Sequence, residues 1–399
     1  MNILLVHNYY QIPGGEDTVV ANEKKMLEQH GNRVILYSRD NSELKRMSAL
    51  HKLLLPLTAV FSLKTYRSIR NLIKAEEIEV VHVHNTLSLV SPAVYYAALH
   101  CGVPVVQTVH NFRLLCPGAM FYRDGHTCED CVTRGLLCAV RHKCYRGSRL
   151  QTLACVVSTW IHRMTGVYGK LHYICLTEFN RQKLLLLKQI RPEQVFVKPN
   201  FVEAPAHIIP EQQRREQYIY AGRLDRMKGV EVLLKAWQHM GPSAPKLLVC
   251  GTGPLEDWCR TFVRDNGMAN VEMPGFLPND RVRQLVGESR AMILPTQWYE
   301  GFPMAIAEAF SAGTPVVVPD MGNAGSLVEE GVTGTKFARA TPEAIADAVM
   351  RLRGYGSLQK SVLDVCSRSY TQDKNYEQLT AVYAAAVNSR RGMRSCDFL

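Results

Sequence analysis

Apolar runs of strand length alternate with amphipathic segments of helical period along the whole chain. The strand-like runs cover residues 2–6, 33–37, 80–84, 103–109 and 173–176 in the first half, and 217–220, 246–250, 271–273, 291–294 and 315–318 in the second. Helical patterns, among them those over residues 18–30, 91–101, 230–239 and 303–312, separate these runs. This alternation is typical of parallel, doubly wound sheets covered by helices. The pattern therefore predicts an α/β protein.

The alternation lapses once, where prolines cluster. Pro192, Pro199, Pro205 and Pro210 fall within residues 191–213, which we interpret as an interdomain linker. We expect an N-terminal domain over residues 1–190, with a cysteine-rich insertion at 116–149, and a C-terminal domain over residues 214–373. Residues 374–399 are expected to form a last helix and a loose basic tail. The two domains would face each other across a cleft at the carboxyl ends of their strands, where open α/β sheets bind ligands.

The amino-acid composition is that of a globular protein and not of a membrane-spanning one. Of 399 residues, 47% are hydrophobic and 21% are charged, as is usual for a globular protein. No apolar run in the sequence approaches the roughly 18 residues that cross a bilayer, and the first run is too short for a secretory signal peptide. We therefore expect a cytoplasmic location. The net charge of +11 indicates acidic partners such as nucleotide phosphates or anionic lipid.

Part of the positive charge is concentrated in one stretch. Between residues 45 and 75 there is no Asp or Glu, and apolar residues alternate with seven basic ones: Lys45, Arg46, Lys52, Lys64, Arg67, Arg70 and Lys74. A basic amphipathic stretch suits the surface of an anionic membrane, so we expect peripheral attachment at the inner face of the plasma membrane. A solvated helix face in a basic protein is the alternative interpretation.

Two cations follow the first strand of the second half. Gly222 and Arg223 come directly after the run over residues 217–220, and Lys228 lies shortly beyond them. Glycine allows close backbone approach, and two cations at a strand end can hold a diphosphate and offset its charge as it departs, without a metal. The alternative is a basic surface loop. The turn with Gly251 and Gly253 and the segment ending at Phe276 are weaker signals, since such turns often serve only packing.

The most informative segment covers residues 295–309. A strand passes through a glycine turn into a helix, with Pro303 at the expected first helical position, and free N–H groups there favour an anion. Glu300 and Glu308 are eight residues apart, or about 12 Å along a helix, too far for a close carboxylate pair. They suit hydroxyls at opposite parts of one extended ligand. Two solvated glutamates are the alternative, but Glu308 lies in an apolar run and requires a partner.

Taken together, these elements resemble the retaining glycosyltransferases of family four, which have the GT-B fold. The resemblance rests on residues 222–223 with Lys228, on the turn at 251–254, on residues 274–276, and on the two glutamates separated by seven residues. The elements occur in the family's order, and the resemblance covers most of the chain. It implies transfer of a sugar from a UDP- or GDP-sugar to a saccharide or lipid-linked saccharide in bacterial surface polysaccharide synthesis.

The resemblance also implies residue roles. Arg223 and Lys228 would bind the donor diphosphate, Glu300 the donor sugar and Glu308 the ribose hydroxyls. His110, at the end of the strand over residues 103–109, matches a histidine near the reacting carbon, although a lone histidine there is more often a structural cap. The implied catalytic residues are His110, Glu300, Arg223 and Lys228. The implied donor-binding residues are Gly14, Gly15, Gly222, Arg223, Lys228, Gly251, Gly253, Phe276, Gly301, Phe302, Pro303, Met304 and Glu308.

Gly14 and Gly15 belong to a turn, begun by Pro13, that follows the first strand. The turn matches the family's glycine loop, which approaches donor phosphate and acceptor, while a simple strand-to-helix turn is the alternative. The sequence contains no Asp-x-Asp, the metal-chelating pair of the other large glycosyltransferase fold. We therefore expect metal-independent chemistry without a catalytic cofactor, with retention at the anomeric carbon by front-face attack, as the resemblance implies.

Five cysteines crowd into the predicted insertion. Cys128 and Cys131 have the spacing of half a tetrahedral zinc site, and Cys116 with Cys144 would complete four thiolates. Substitute ligands are Cys138, His126 and His142. In a cytoplasmic protein such a cluster is more often a metal site than a set of disulfides, so a structural zinc ion is predicted. Cysteines packed in a loop without metal are the alternative.

Two other classes of function compete with the transferase. A nucleotide-sugar epimerase or a phosphorylase would use the same fold, but the sequence offers no cleft acid–base pair for an epimerase. A non-enzymatic, zinc-stabilised binding protein would also be basic. Nucleic-acid binders usually interleave aromatics with their basic patches, and the cysteine region offers only Phe121, Tyr122 and Tyr145. No nucleic-acid partner is therefore expected.

Overall fold

The structure, a computed structural model, describes residues 1–11 and 14–396, without the side chains of Leu50, Lys52 and residues 390–396. Pro13 of the predicted glycine loop and residues 397–399 of the predicted basic tail lie outside the described residues. The chain forms two compact units. The first comprises Met1–Met120, Glu129–Lys198 and Asn375–Leu399, and the second comprises Phe121–Cys128 and Pro199–Lys374.

The first unit is built on a parallel sheet with the strand order β2-β1-β3-β4-β7-β8. Its strands are β1 (Asn2–Tyr9), β2 (Arg33–Asp40), β3 (Val80–Val83), β4 (Val105–Val109), β7 (His172–Cys175) and β8 (Val195–Val197). The chain adds β2 on one side of β1 and the later strands on the other, which makes the sheet doubly wound. The central strands are buried on both faces, as expected of a parallel sheet covered by helices.

Helices connect these strands. They are α1 (Gly15–Gln29), α2 (Glu43–Arg46), α3 (Ala49–Val60), α4 (Leu63–Ala75), α5 (Ala93–His100), α6 (Asp130–Thr133), α7 (Leu137–Arg141), α8 (Arg149–Met164), α9 (Glu178–Leu184) and the last helix, α17 (Gln372–Cys396). The basic stretch over residues 45–75 is thus divided among α2, α3 and α4. Ser62 separates α4 from α3 and caps α4, since its side chain accepts a hydrogen bond from Thr65 N.

The second unit repeats this topology with the strand order β11-β10-β9-β12-β13-β14. Its strands are β9 (Arg215–Ala221), β10 (Lys246–Cys250), β11 (Val271–Gly275), β12 (Ser289–Ile293), β13 (Val316–Pro319) and β14 (Gly334–Phe337), and a short hairpin, β5 (Tyr122–Arg123) and β6 (His126–Thr127), is grouped with it. Its helices are α10 (Val230–Met240), α11 (Glu256–Asp265), α12 (Asn279–Glu288), α13 (Met304–Ser311), α14 (Gly322–Leu327), α15 (Pro342–Gly354) and α16 (Gln359–Ser369). The predicted α/β class is confirmed for both units.

The domain boundaries differ from those predicted. Residues 191–213 are not a continuous linker, because β8 lies within them and pairs with β7; the division between the units falls after Lys198. The proline cluster concealed β8, which has only three residues. The last helix does not form a separate element, because most of it packs with the first unit, where Tyr383 is fully buried and its hydroxyl bonds His82 Nδ1 at 2.7 Å.

A buried ion pair ties the first unit together. Lys198 Nζ lies 2.6 Å from Glu23 Oε1 of α1 and donates to Asn375 Oδ1 of α17 at 3.1 Å. Lys198 follows β8, so a single ammonium group links the sheet to the first and last helices. Both charged side chains are almost wholly buried. Removing one partner of such a pair leaves the other charge uncompensated in the interior.

Replacing Lys198 by Met should therefore destabilise the protein by about 3–5 kcal/mol, since Glu23 would remain buried without its cation. Urea unfolding curves would measure the loss. Lys24, next to Glu23 in the sequence, forms a solvent-accessible pair with Glu28 at 2.6 Å and provides the matched control. Lys24→Met should lower the free energy of unfolding by less than about 1 kcal/mol. Equal losses for the two variants would contradict the role assigned to the buried pair.

Candidate active site

A cavity of about 540 Å³ opens at the carboxyl ends of the central strands of the second unit. Its walls come from the segments that follow β9, β10 and β11 and from α12 and α13. Residues lining it include Gly222, Arg223, Gly251, Gly253, Phe276, Arg283 and Glu308. Parallel α/β sheets bind ligands at this edge. The structure therefore brings six of the predicted donor residues into one hollow, and adds Arg283, which the sequence pattern did not single out.

Glycines allow the loops around this cavity to touch backbone to backbone. A Cβ at Gly251, whose φ is +133°, would lie 2.0 Å from Gly222 O, and a Cβ at Gly253 would lie 2.4 Å from Leu224 O. No other residue fits such an approach without displacement of the backbone. These glycines allow the loops after β9 and β10 to pack against each other. They therefore shape the cavity as well as lining it.

Lys228 and Glu300 form an ion pair beside this cavity, with Lys228 Nζ 2.9 Å from Glu300 Oε1. Gly229 makes the approach possible, because a Cβ there would lie 1.9 Å from Pro295 O. Asp225 links the two predicted cations: its Oδ1 accepts from Lys228 N at 2.9 Å and its Oδ2 lies 3.4 Å from Arg223 Nε. Lys228 and Glu300 do not line the cavity themselves, so one Asp joins the lining Arg223 to the neighbouring pair.

The segment before α13 departs from the prediction in one respect. Pro303 is the residue that precedes the helix, and Met304 is its first residue, so Pro303 does not occupy the first helical position. The neighbouring side chains pack inside the unit: the Phe302 ring centroid lies 6.2 Å from that of Tyr370, and Met304 Sδ accepts from Asn200 Nδ2 at 3.5 Å. The side chains at this helix start are therefore involved in packing, and its main-chain groups are the ones suited to a ligand.

Asn323, at the start of α14, holds the glycine turn in place. Its Nδ2 donates to Gly301 O at 2.9 Å and also to Glu300 O. Asn323 is fully buried, and the sequence pattern gave no signal for it because it follows an ordinary strand end. Glu308 lies on the cavity wall, where burial raises the pKa of its carboxyl and the charge of Arg283 only partly offsets this effect. Such a carboxyl requires hydrogen-bond partners, as a ligand's hydroxyls would supply.

In the first unit, His110 lies at one end of a buried chain of polar groups. His110 Nε2 is 2.9 Å from His84 Nδ1, and His84 Nε2 is 3.4 Å from Glu23 Oε2, whose other oxygen meets Lys198. Burial lowers the pKa of His110 to about 3, against the opposing charge of Glu23. His110 is therefore neutral near pH 7, and its orientation is fixed by residues of other strands.

Glu23, His82 and His84 place ligand atoms within 4.8 Å of one another, which raises the question of a metal. Both ring nitrogens of His82 already have partners, Tyr383 Oη and Thr108 Oγ1, each at 2.7 Å. The Lys198 ammonium already supplies a positive charge to Glu23. His82 therefore has no ring nitrogen left for a metal. Glu23 Oε2 and His84 Nε2 lie 3.4 Å apart without a hydrogen-bond partner in the described part of the chain, but the buried ammonium of Lys198 beside Glu23 disfavours a second cation, so the group does not fit a metal site.

Gly14 precedes α1, and space is open around both Gly14 and Gly15. Two carboxyls follow at once. Asp17 accepts from Gly14 N at 2.9 Å and bonds His7 Nε2 at 2.7 Å. Glu16 is half-buried beside Tyr10, which donates to it at 2.9 Å, and removal from water raises the pKa of Glu16 to about 8. The predicted phosphate loop therefore carries acids, which suit sugar hydroxyls better than a phosphate.

Three predicted zinc ligands, Cys116, Cys131 and Cys144, belong to the first unit, but among the described residues they do not form a group whose ligand atoms all lie within 4.8 Å of one another. Cys131 belongs to a small apolar cluster with Ala139, against which Cys138 and Cys144 pack. A Cβ at Gly118 would lie 3.7 Å from Cys116 Sγ and 3.4 Å from Cys144 Cβ, so these two cysteines approach the same point. Cys128 is grouped with the second unit. Zinc binding itself stays a prediction.

Comparison with known proteins matches each half of the chain to a protein family. Residues 13–204 match the model of Glycosyltransferase Family 4, and residues 206–356 match that of Glycosyl transferases group 1. The chain belongs to the family-four glycosyltransferases. The resemblance to this family, which was predicted from the sequence motifs, is therefore confirmed, and it extends over residues 13–204 and 206–356.

Individual relatives are distant. The chain is 25% identical over 182 residues to an uncharacterized glycosyltransferase, MJ1607, of Methanocaldococcus jannaschii, covering 44% of this chain and 46% of that protein. It is 26% identical over 185 residues to the putative colanic acid biosynthesis glycosyltransferase WcaL of Salmonella typhimurium, covering 43% and 45%. These matches thus span about half the length of each relative.

Solved structures confirm the fold. The lipopolysaccharide outer core galactosyltransferase WaaB, in its apo form, has a TM-score of 0.65 at 16% identity, covering 96% of this chain and 99% of that one. Anabaena HepE in complex with UDP and glucose has a TM-score of 0.64 at 16% identity, with coverage of 96% and 99%. The family-four chain therefore has the GT-B fold. None of its described helices is both long and apolar enough to span a membrane.

The neutral state of His110 is testable through the pH dependence of stability. An unfolded histidine has a pKa near 6.5, so the unfolded chain takes up this proton first as the pH falls. The contribution to stability is therefore full above about pH 6.5 and is lost as the pH falls toward 3. In His110→Asn, the slope of unfolding free energy against pH between about 4 and 5.5 should fall by about 1.4 kcal/mol per pH unit.

Denaturant unfolding at a series of pH values would give this slope. His207→Asn, at an exposed position of the second unit, controls for loss of an imidazole as such. An unchanged slope in His110→Asn would mean that His110 takes up its proton equally in the folded and unfolded chain, contrary to its burial.

Proposed function

We propose that this chain is a retaining glycosyltransferase that moves a hexosyl group from a nucleotide-sugar donor, held in the cavity of the second unit, to a saccharide or lipid-linked saccharide acceptor. The observation that carries the proposal is the cavity at the carboxyl strand ends, with Arg223, Arg283 and Glu308 of α13 on its wall. Cations for a diphosphate and a half-buried acid for hydroxyls are what a nucleotide sugar requires.

The donor's parts have complementary groups in and beside this cavity. Arg223 meets the diphosphate, and Lys228 reaches the same group from its pair with Glu300. Glu300, released from part of that pairing, accepts hydrogen bonds from the sugar, while Glu308 accepts from the ribose. The complexes of HepE with UDP and with UDP-glucose support UDP as the nucleotide, and GDP remains the alternative of the same chemistry.

The proposed reaction is a front-face displacement. The bond between the anomeric carbon and the phosphate oxygen breaks, the acceptor oxygen bonds to that carbon on the same face, and the acceptor proton passes to the departing phosphate. Arg223, Lys228 and the main-chain N–H groups before α13 stabilise the leaving diphosphate electrostatically, so the step is proposed to need no metal. Neutral His110 is proposed to contact the donor sugar by a hydrogen bond.

The biological setting is proposed from the relatives. WcaL is named for colanic acid biosynthesis and AmsK of Erwinia amylovora for amylovoran biosynthesis, which supports a role in surface polysaccharide synthesis. Such a transferase would work in the cytoplasm at the anionic inner membrane face, where lipid-linked acceptors are presented. A labelled nucleotide sugar incubated with membrane lipid extract tests transfer; consumption of inorganic phosphate or epimerisation of the donor instead would favour the rival enzymes.

Donor binding should depend on Arg223. Arg223→Met removes a charge-assisted hydrogen bond to the diphosphate, so the Kd for the best donor among UDP-glucose, GDP-mannose and ADP-glucose should rise about 10- to 100-fold. Isothermal titration calorimetry measures this change. Arg264→Met, at an exposed position on α11, is the control and should bind as the unaltered chain does. Equal affinities for both variants would place the diphosphate elsewhere.

The cysteine-rich insertion is proposed to hold a structural zinc ion on Cys116, Cys128, Cys131 and Cys144. Elemental analysis of the purified protein should find about one zinc per chain, and Cys131→Ser should lose it together with stability. Cys366→Ser, a buried cysteine of the second unit, is the control that should keep the zinc. A protein without zinc, or one that keeps it in Cys131→Ser, contradicts the proposal.

A further inference from the structure

Helices α3 and α8 of the first unit expose an apolar face. On α8 the residues Leu150, Leu153, Val157, Trp160 and Met164 recur every three or four positions, so they form one stripe. Leu150 is 73% exposed, Trp160 56% and Met164 69%, and on α3 Leu53 and Leu57 are 75% and 69% exposed. Single exposed apolar residues are common, whereas a continuous stripe of large ones marks a binding surface.

A groove between the two helices meets the α8 stripe at Leu150. It has a volume of about 440 Å³ and is lined from α3 by Leu55, Pro56 and Ala59 and from α8 by Leu150, Ala154 and Cys155. The groove is mostly apolar, and its size suits part of a hydrocarbon chain. A water-soluble saccharide would gain nothing from such walls.

The groove leads to His110. A second, narrower cavity contains His84, His110 and Arg113 and shares Ala59, Leu87, Cys155 and Ser158 with the groove. These shared residues place the two cavities side by side, and we call the groove and the inner cavity together the path: its lining runs from Leu150 of the exposed stripe to the histidine proposed to meet the donor sugar. A plain membrane anchor would need no such neighbouring cavity.

Cations lie along the path. Lys45 and Arg146 line the groove, and Arg113 lines the inner cavity. The Tyr145 ring lies between two of them, 5.4 Å from the guanidinium of Arg113 and 5.4 Å from that of Arg146. The order along the path is thus apolar surface, cationic groups and catalytic histidine. A lipid-linked saccharide has the matching order of hydrocarbon, phosphate and sugar.

Helices α3 and α8 each lie in a long segment of the sequence that has basic residues and no acidic ones. Residues 44–75 and 131–177 contain fourteen Lys and Arg and no Asp or Glu, while the rest of the chain holds 33 basic and 36 acidic residues. The net positive charge therefore comes entirely from these two segments. A second copy of the chain docking face to face would bring like charges together. An anionic bilayer attracts this face and also accepts the apolar stripe.

We propose that the α3–α8 groove binds the hydrocarbon of a phosphate-linked lipid acceptor at an anionic membrane surface, with its saccharide end at His110. This inference rests on the proposed function and names the class of acceptor. Lys45, Arg113 and Arg146 hold the linking phosphate, and Trp160 with the neighbouring stripe residues enters the bilayer interface, where Trp side chains are favoured.

Vesicle flotation tests the surface. The protein should float with phosphatidylcholine vesicles containing phosphatidylglycerol, and it should float far less with phosphatidylcholine alone or in high salt. The double variant Leu57→Ser with Trp160→Ser should lower the partition coefficient at least about tenfold, because two large apolar side chains no longer enter the interface. Leu186→Ser with Met350→Ser removes two exposed apolar side chains elsewhere and should have no effect.

The acceptor class is tested with a long-chain polyprenyl monophosphate in detergent. It should shift the fluorescence of Trp160 to shorter wavelength, a change absent from Trp160→Phe and absent when inorganic phosphate or the uncharged polyprenol is added. Arg146→Met with Lys45→Met should weaken this binding about tenfold or more. Equal responses to the alcohol and the phosphate would overturn the assigned phosphate contacts.

Donor binding separates this inference from the proposed function. If UDP- or GDP-sugars still raise the Tm of the double serine variant and it still hydrolyses donor, but vesicle and polyprenyl phosphate binding match those of the control variants, the lipid acceptor site is refuted and the transferase stands. If no donor binds even the unaltered chain, the proposed function falls first. Concentration-dependent dimers that the serine substitutions dissociate would assign the face to a second copy and also refute the inference.

Discussion

Close backbone contact at the carboxyl ends of parallel strands is the constraint on which the second unit's site depends. The loop after β9 carries the cations, and it can reach the neighbouring loops only because glycine stands at 229, 251 and 253, where a Cβ would clash with main-chain oxygens. Once those loops touch, Asp225 connects Arg223 with the main chain of Lys228, and Lys228 reaches Glu300. The positions of the charged groups in and beside the cavity thus depend on the close main-chain contacts that these glycines allow.

The first unit uses buried charge for a comparable purpose. Lys198 after β8, Glu23 on α1 and Asn375 on α17 meet in the interior. His84, at the end of β3, extends that network from Glu23 to His110 at the end of β4. The same contacts that retain the last helix in this unit therefore fix the ring of the proposed catalytic histidine and keep it uncharged. The stability of the first unit and the position of the His110 ring therefore depend on the same contacts.

Much of this arrangement was predictable from sequence because it depends on strand ends. Alternating apolar runs located ten strands, and the residues just after them, Gly222, Gly251 and Phe276, line one cavity because parallel strands end at one sheet edge. The roles of Asn323 and Asp225 were not predicted. Asn323 bonds residues more than twenty positions away, and the contacts of Asp225 with Arg223 and Lys228 have no sequence pattern of their own. Strand β8 was missed because it is short and proline-flanked, and β14 because Gly334 and Lys336 interrupt its apolar pattern. The stripe on α8 has a spacing of three and four residues that is recognisable in the sequence, but its exposure depends on which neighbours cover the helix.

A crystal structure of the chain with a bound UDP- or GDP-sugar would test the central claim most directly. The account predicts density for the nucleotide in the cavity of the second unit, with diphosphate oxygens within hydrogen-bond distance of Arg223 and ribose hydroxyls on Glu308. A nucleotide bound at any other place, or density in this cavity without contact to either residue, would contradict it.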